Sequence, residues 1–227
     1  MSVIASQFPN DVKKIFVSEN RMDQSIKGTI RIPADRNAFG EHVRRLRKEK
    51  GWTLTEVAIS SGLAPSTISK VERGQMSLTY DRLVLLARGL GVHLSELFGP
   101  AQRDEARTPG KISVTRAGHA SPFQSRHYLY EMLCTDYLNR RMVPLVAHIK
   151  PRSIAEFSEL AKHAGEEFIY VLSGTLHVHI DANPVITLEA GDCVYFDSGC
   201  GHAYVSAGDC EAIVLGVCWQ PEASPQS

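Results

Sequence analysis

Nothing in this chain of 227 residues approaches the roughly 20-residue apolar run of a bilayer-spanning helix, so a membrane-embedded protein is not expected. The opening residues lack the basic-then-apolar order of a secretory leader, and a soluble, cytoplasmic protein is the expectation. Cysteine is scarce. Cys134, Cys193, Cys200, Cys210 and Cys218 form no CxxC pair, and their odd number rules out complete internal pairing, so reduced, buried thiols are expected. Net charge is absent as well, with 25 basic and 25 acidic residues, and there is no internal repeat. What remains is ordinary globular usage, 43% hydrophobic and 22% charged, over a length that exceeds one typical domain. Two domains are expected.

The most informative stretch is Gly51 to Gly74, GWTLTEVAISSGLAPSTISKVERG. Thr53 and Glu56 have the spacing of a capping box, in which hydroxyl and carboxylate each satisfy a free backbone N–H, so a helix is expected to begin near Leu54. Val57 and Ala58 fall on the same face as Leu54, and Gly62 supplies a residue that turns with positive φ at no steric cost. Pro65 suits the first turn of a second helix, where its missing N–H is no loss. Ile68 and Val71 give that helix a narrow apolar edge, while Ser66, Thr67, Ser69, Lys70 and Arg73 are short and polar or basic, a surface suited to a DNA groove.

This segment resembles the helix-turn-helix of the lambda-repressor-like, XRE-type bacterial regulators, over roughly Phe39 to Phe98. Upstream, GEHVRRLRKEKG sets Val43 and Leu46 on one face and ends in Gly51, a natural residue just past a helix end. Downstream, SLTYDRLVLLARGLGVHLSELF reads as a fourth helix capped by Thr79, with Leu83, Leu86, Ala87 and Leu90 inward, and then Val92, Leu94, Leu97 and Phe98 closing the core. The resemblance implies an all-α, five-helix domain with a buried ion pair between Arg47 and Glu72. It places Pro65, Ser66, Ser69 and Lys70 near base edges of a double-stranded DNA operator, with Thr67, Arg73 and Arg44 on phosphates. Leu78 stands where the family often has proline, a departure that changes the loop little.

The zero net charge is unevenly distributed. Residues 36–98 carry ten basic and six acidic residues, whereas from residue 100 onward ten basic residues meet fifteen acidic ones. A local basic footprint is what phosphate neutralisation requires, so DNA binding is preferred to a plain helical bundle with a solvated basic face.

Residues 1–35 show no sustained periodicity and mix Pro, Asn, Ser and charges, so a mobile arm is expected, with Met22 an alternative start. Residues 99–110, GPAQRDEARTPG, read as a linker. The period then changes. KISVTRAG, HYLYEMLC, PLVAHIK, EFIYVLSG, TLHVHI, PVITLEAG, CVYF, HAYVSAG and CEAIVLGVCW are short β-branched or aromatic runs separated by Gly, Asp, Ser or Asn, which predicts an antiparallel sandwich or small barrel over 111–220, with a tail at 221–227.

Within that region HAGEEFIYVLSG and LEAGDCVYFDSGCGH resemble the two signature segments of the cupins, small all-β jelly-roll barrels. His163, Glu167 and Gly174 match the first segment, with Ala161 where its first histidine belongs; Gly191, Gly199 and His202 match the second, with Asp197 in place of a proline. The resemblance leaves His163, Glu167 and His202 as ligands for a divalent transition metal, or as polar hooks for an organic effector in the same cavity. Cys200 lies two residues before His202 and is a weaker candidate as a further ligand or oxidant sensor. Glu166 is an alternative to Glu167, disfavoured because strand alternation groups Glu167 with Ile169 and Val171. His177 and His179 alternate with Leu176, Val178 and Ile180 and should face away from the core, and His148 lies on another predicted strand.

The expected function is a ligand-responsive transcription regulator, not an enzyme, with a DNA-binding domain followed by a sensor barrel. A lone helix-turn-helix reads few base pairs, so a homodimer on a pseudo-palindromic operator is expected, responding to a small-molecule effector. The alternative is a metal-dependent dioxygenase or isomerase on a DNA-binding head, with His163, Glu167 and His202 as its metal set.

Overall fold

The computed structural model describes residues 36–98, 112–137, 140–150 and 152–219. The arm expected at 1–35, the linker at 99–110 and the tail at 221–227 lie outside the described residues.

The helical part is built from α1 (Arg36–Glu49), α2 (Leu54–Ser61), α3 (Pro65–Glu72) and α4 (Tyr80–Leu90), closed by a single 3-10 turn at Leu94–Leu97. The described residues therefore hold four α-helices where five were expected: four residues between Gly91 and Phe98 make one tight turn and no more. The α2 boundary follows its chemistry. The backbone N–H of Glu56 donates to the Thr53 hydroxyl, that of Thr53 donates to the Glu56 carboxylate, and Gly62 ends the helix in the left-handed region at φ 73°. Thr79 does precede α4, but its hydroxyl makes no capping bond. Val43, Val57, Ile68, Leu83, Leu86 and Leu90 form the buried centre.

Two glycines permit the closest helix approaches. A Cβ on Gly40 of α1 would collide with the Val71 carbonyl and lie 2.8 Å from that of Glu72, and one on Gly89 of α4 would collide with the Ser61 side chain and lie 2.8 Å from its Cα. Both are places where only hydrogen fits.

From residue 112 the described residues hold strands and one 3-10 turn, Ile154–Glu156. Strands β1 (Ser121–Gln124), β2 (Leu129–Met132), β3 (Met142–Ile149), β4 (Glu166–Ser173), β5 (Leu176–Ile180), β6 (Ile186–Leu188), β7 (Cys193–Asp197), β8 (His202–Ser206) and β9 (Ala212–Trp219) make two antiparallel sheets, ordered β1-β2-β3-β9-β4-β7 and β6-β5-β8. Along β3 burial alternates strictly, with Val143, Leu145, Ala147 and Ile149 inward, as a half-buried strand requires. Two expectations fail here. The described residues 112–118 of KISVTRAG form no strand, and their polar side chains serve loop contacts instead: the Thr115 hydroxyl accepts from the Cys134 N–H at 2.7 Å, and Ser113 bonds Asp136. SPFQ, too short and polar to stand out, is β1. Among the cysteines, all free, Cys218 is buried and Cys134 half-buried, but Cys193, Cys200 and Cys210 are exposed, the first on the edge strand β7 and the other two in loops.

Candidate functional site

Pairing between the two signature segments creates the site. Ala161 and His202 exchange backbone hydrogen bonds of 3.0 and 2.9 Å, and the His163 N–H donates to the Ser198 carbonyl at 3.0 Å, so the loop before β4 is pinned to the start of β8. His163 comes from that loop, Glu167 from the inward register of β4 and His202 from the first position of β8, and all three are buried. The Nε2 atoms of His163 and His202 lie 3.4 and 3.2 Å from one carboxylate oxygen, Oε2 of Glu167. Neither approach has hydrogen-bond alignment, and both ring nitrogens of His163 and Oε2 of Glu167 are left without a hydrogen-bond partner. The contact at Glu167 is therefore electrostatic proximity, with one donor atom of each residue within 4.8 Å of the others.

His202 is oriented from behind. Its Nδ1 lies 2.9 Å from the Cys200 carbonyl, which can only accept, so Nδ1 carries a proton and Nε2 faces inward, where it can meet a metal with its lone pair or the carboxylate with a second proton. Burial pushes the Glu167 carboxyl up, but the two imidazoles outweigh it and hold the group down at about 2. Burial lowers His202, and the Glu167 carboxylate raises it on balance. Buried groups that converge yet do not satisfy one another suit a shared cation, and two imidazoles with one carboxylate fit a divalent transition metal.

A cavity of about 600 Å³ opens beside this set. Its walls include Tyr128, Tyr130 and Tyr204 of the barrel and, from the helical part, the segment Gln75–Arg82. Tyr128 is tied down, its hydroxyl donating to the Tyr204 carbonyl at 3.0 Å and accepting from the Tyr204 N–H at 2.9 Å. The hydroxyls of Tyr204 and Tyr80 are buried beside the Glu167 carboxylate and the Cys218 thiol respectively, without a well-aligned hydrogen bond.

On the helical part, Pro65, Ser66 and Lys70 are exposed on α3, Thr67 and Ser69 are half-buried, and Arg73 and Arg44 are exposed. Arg73 reaches back to the Ser69 hydroxyl at 2.5 Å and to Gln75 Oε1 at 3.1 Å. The inner edge of α3 ends in Glu72, whose carboxylate receives Nε and Nη2 of Arg47 at 2.6 and 2.8 Å, while Nη1 of Arg47 donates to the Trp52 carbonyl at 2.7 Å. That two-pronged pair ties α1 to α3 with both side chains largely shielded from water.

Comparison with known proteins agrees with this division. A helix-turn-helix family profile matches residues 43–97, and a cupin-domain profile matches residues 146–218. The HTH-type transcriptional regulator PuuR of Escherichia coli is 27% identical over 179 residues, 78% of this chain and 92% of that one. The HTH-type regulator y4dJ of Sinorhizobium fredii is 42% identical over 65 residues, 29% of this chain and 84% of its own length. The chain belongs to the XRE-type helix-turn-helix transcriptional regulators and carries a cupin domain. A solved HTH_3 family regulator from Vibrio cholerae shares the fold at 20% identity and a TM-score of 0.56, covering 82% of this chain and 97% of that one. The (S)-2-hydroxypropylphosphonic acid epoxidase of Streptomyces wedmorensis is 24% identical over 178 residues, 74% of this chain and 88% of that one.

In this regulator the weaker candidates separate from the buried set. Glu166 is exposed, as strand alternation requires. Cys200 is exposed and contributes its carbonyl, not its thiol, to the site. His177 and His179 are half-buried on β5, outside the cluster. His148 pairs with Glu131 at 2.9 Å and approaches Glu211 at 3.4 Å, a separate group between neighbouring strands. The tyrosines of the cavity were missed. Alternation in HYLYEM is the signal that could have set Tyr128 and Tyr130 on one face, whereas no sequence signal tells that Tyr80 of the regulator's helical part joins them.

Proposed function

We propose that the regulator is ligand-responsive, with residues 36–98 as its DNA-binding head, 99–110 as linker and 111–220 as sensor, acting in the cytoplasm as a homodimer on a pseudo-palindromic operator. The buried convergence of His163, Glu167 and His202 beside a cavity carries the sensor reading, because an inert barrel would fill that space with side chains. These three residues would hold a divalent transition metal, which when bound supplies a Lewis-acidic centre with positions left for water or an effector. Pro65, Ser66, Ser69 and Lys70 face base edges, and Thr67, Arg73 and Arg44 set phosphate register. An effector regulates only by binding the DNA-competent and DNA-incompetent arrangements with different affinity. The test is operator binding by the full chain, with the site isolated by footprinting, in the presence and absence of added metal and chelator. Equal affinity under all these conditions, together with metal-free protein, would leave the residues as hooks for an organic effector.

The second reading is catalytic, and the donor set favours it: two imidazoles and a carboxylate are a set used for oxygen activation at non-haem iron. Turnover would need bound metal, whereas regulation needs only an effector-dependent change in operator affinity. The regulator relatives weigh toward a non-enzymatic role.

A further inference from the structure

Most of the cavity belongs to the barrel, but one wall does not. Gln75 to Arg82, which line it, run from the loop behind α3 into the first turn of α4. The DNA-facing helix and the sensor wall are thus consecutive pieces of one chain. Leu78 and Tyr80 are the buried members of this segment, 2% and 7% exposed, and the Tyr80 ring packs on the His163 imidazole at 4.9 Å between centroids and on Tyr130 at 6.2 Å. The Tyr80 hydroxyl is buried in the cavity wall beside the Cys218 thiol, a weak acceptor, and has no well-aligned hydrogen bond.

From this geometry, and resting on the sensor reading above, we propose that Tyr80 is the element of the head that reads occupancy of the cupin cavity. A ligand that fixes the His163 ring fixes the surface on which Tyr80 packs, and an acceptor oxygen on a bound small molecule would give the Tyr80 hydroxyl a stronger partner than the Cys218 sulfur. The consequence travels a short way. Tyr80 opens α4, the preceding loop carries Gln75, and Gln75 is joined to α3 twice: its N–H donates to the Lys70 carbonyl at 2.8 Å, and its side chain accepts from Arg73 at 3.1 Å. Lys70 and Arg73 are among the residues proposed to meet DNA. Coupling of this kind works inside one subunit, by direct contact between sensor cavity and head, and it requires the ligand to favour the docked arrangement over others.

Hydrogen exchange on the full chain tests it, with Co(II) as the probe. Co(II) should bind the wild type and Tyr80→Ala but not His202→Ala. Binding should slow amide exchange over residues 75–82 at least tenfold in the wild type, not at all in Tyr80→Ala, and less in Tyr80→Phe, which keeps the ring and loses the hydroxyl. Should Co(II) bind through His202 while exchange over 75–82 stays the same, or should Tyr80→Ala respond as the wild type does, the coupling is overturned and the metal site stands. Should Co(II) fail to bind, the metal reading falls and the metal-free proteins decide: Tyr80→Ala must then speed exchange around His163 and β2, and unchanged exchange there overturns the proposal.

Discussion

His202 shows how a single residue acquires a role. Its ring is held at Nδ1 by a backbone carbonyl and turned at Nε2 toward a carboxylate that also faces His163. Removing that ring leaves two donors, too few to retain a transition metal against solvent, so protein purified without chelator should carry near-stoichiometric metal that His202→Ala loses. Elemental analysis decides; metal retained in the variant would mean that it is held elsewhere. Arg47 and Glu72 carry a different kind of dependence. Because both side chains are largely buried, loss of either leaves an uncompensated charge that costs on the order of 3 to 5 kcal/mol. Glu72→Ala should therefore unfold the helices while the barrel remains, seen as loss of helical circular dichroism at a lower temperature than loss of the β-signal. A single melt identical to the wild type would show that the pair contributes little. The sequence singled out these residues because each lies in a motif with fixed spacing. Tyr80 and Tyr204 hold no signature position, and Cys200, although inside the second signature segment, acts through a backbone carbonyl that no side-chain pattern announces; these roles depend on how strands and helices close around the cavity.

At the scale of elements, legibility follows local chemistry. The α2 start was readable because Thr53 and Glu56 satisfy each other's neighbours across one turn, and the α3 start because Pro65 excludes any continuation from upstream. At 112–118 the expected strand is absent because apolar spacing alone does not provide a partner strand, and the Ser113 and Thr115 hydroxyls bond locally. Gly40 and Gly89 were not read at all, since a glycine within a helix carries no signal until its neighbour is known. Gly89→Ala should force α4 away from α2 and destabilise the helical part by roughly 1 to 3 kcal/mol, measurable by chemical denaturation. On α3, Lys70 is exposed and free to reach a guanine edge, so Lys70→Ala should weaken operator binding by roughly 1 to 3 kcal/mol. A loss that is uniform over all sequences and lowers the salt dependence would assign Lys70 to phosphates instead.

For the whole molecule, zero net charge conceals a division of labour: an excess of four basic residues in 36–98, and a surplus of acidic ones beyond. Nucleic acid should therefore be drawn to the helical part and repelled by the barrel, which orients encounter before any base is read. An α3 of eight residues reaches only a few base pairs, so a single head cannot reach the affinity usual for an operator. Two heads bound to successive major-groove faces must stand about 34 Å apart, one helical turn, and duplex DNA converts that spacing into a test. Once footprinting has defined the operator, inserting about half a turn between its halves rotates one half-site to the opposite side of the duplex. A dimer must then twist, bend the DNA or release one head, and affinity should fall at least tenfold; inserting a whole turn should restore part of it. If half-turn and whole-turn insertions bind like the native spacing, and light scattering gives a monomer, each head binds alone and the dimer is not the DNA-binding unit.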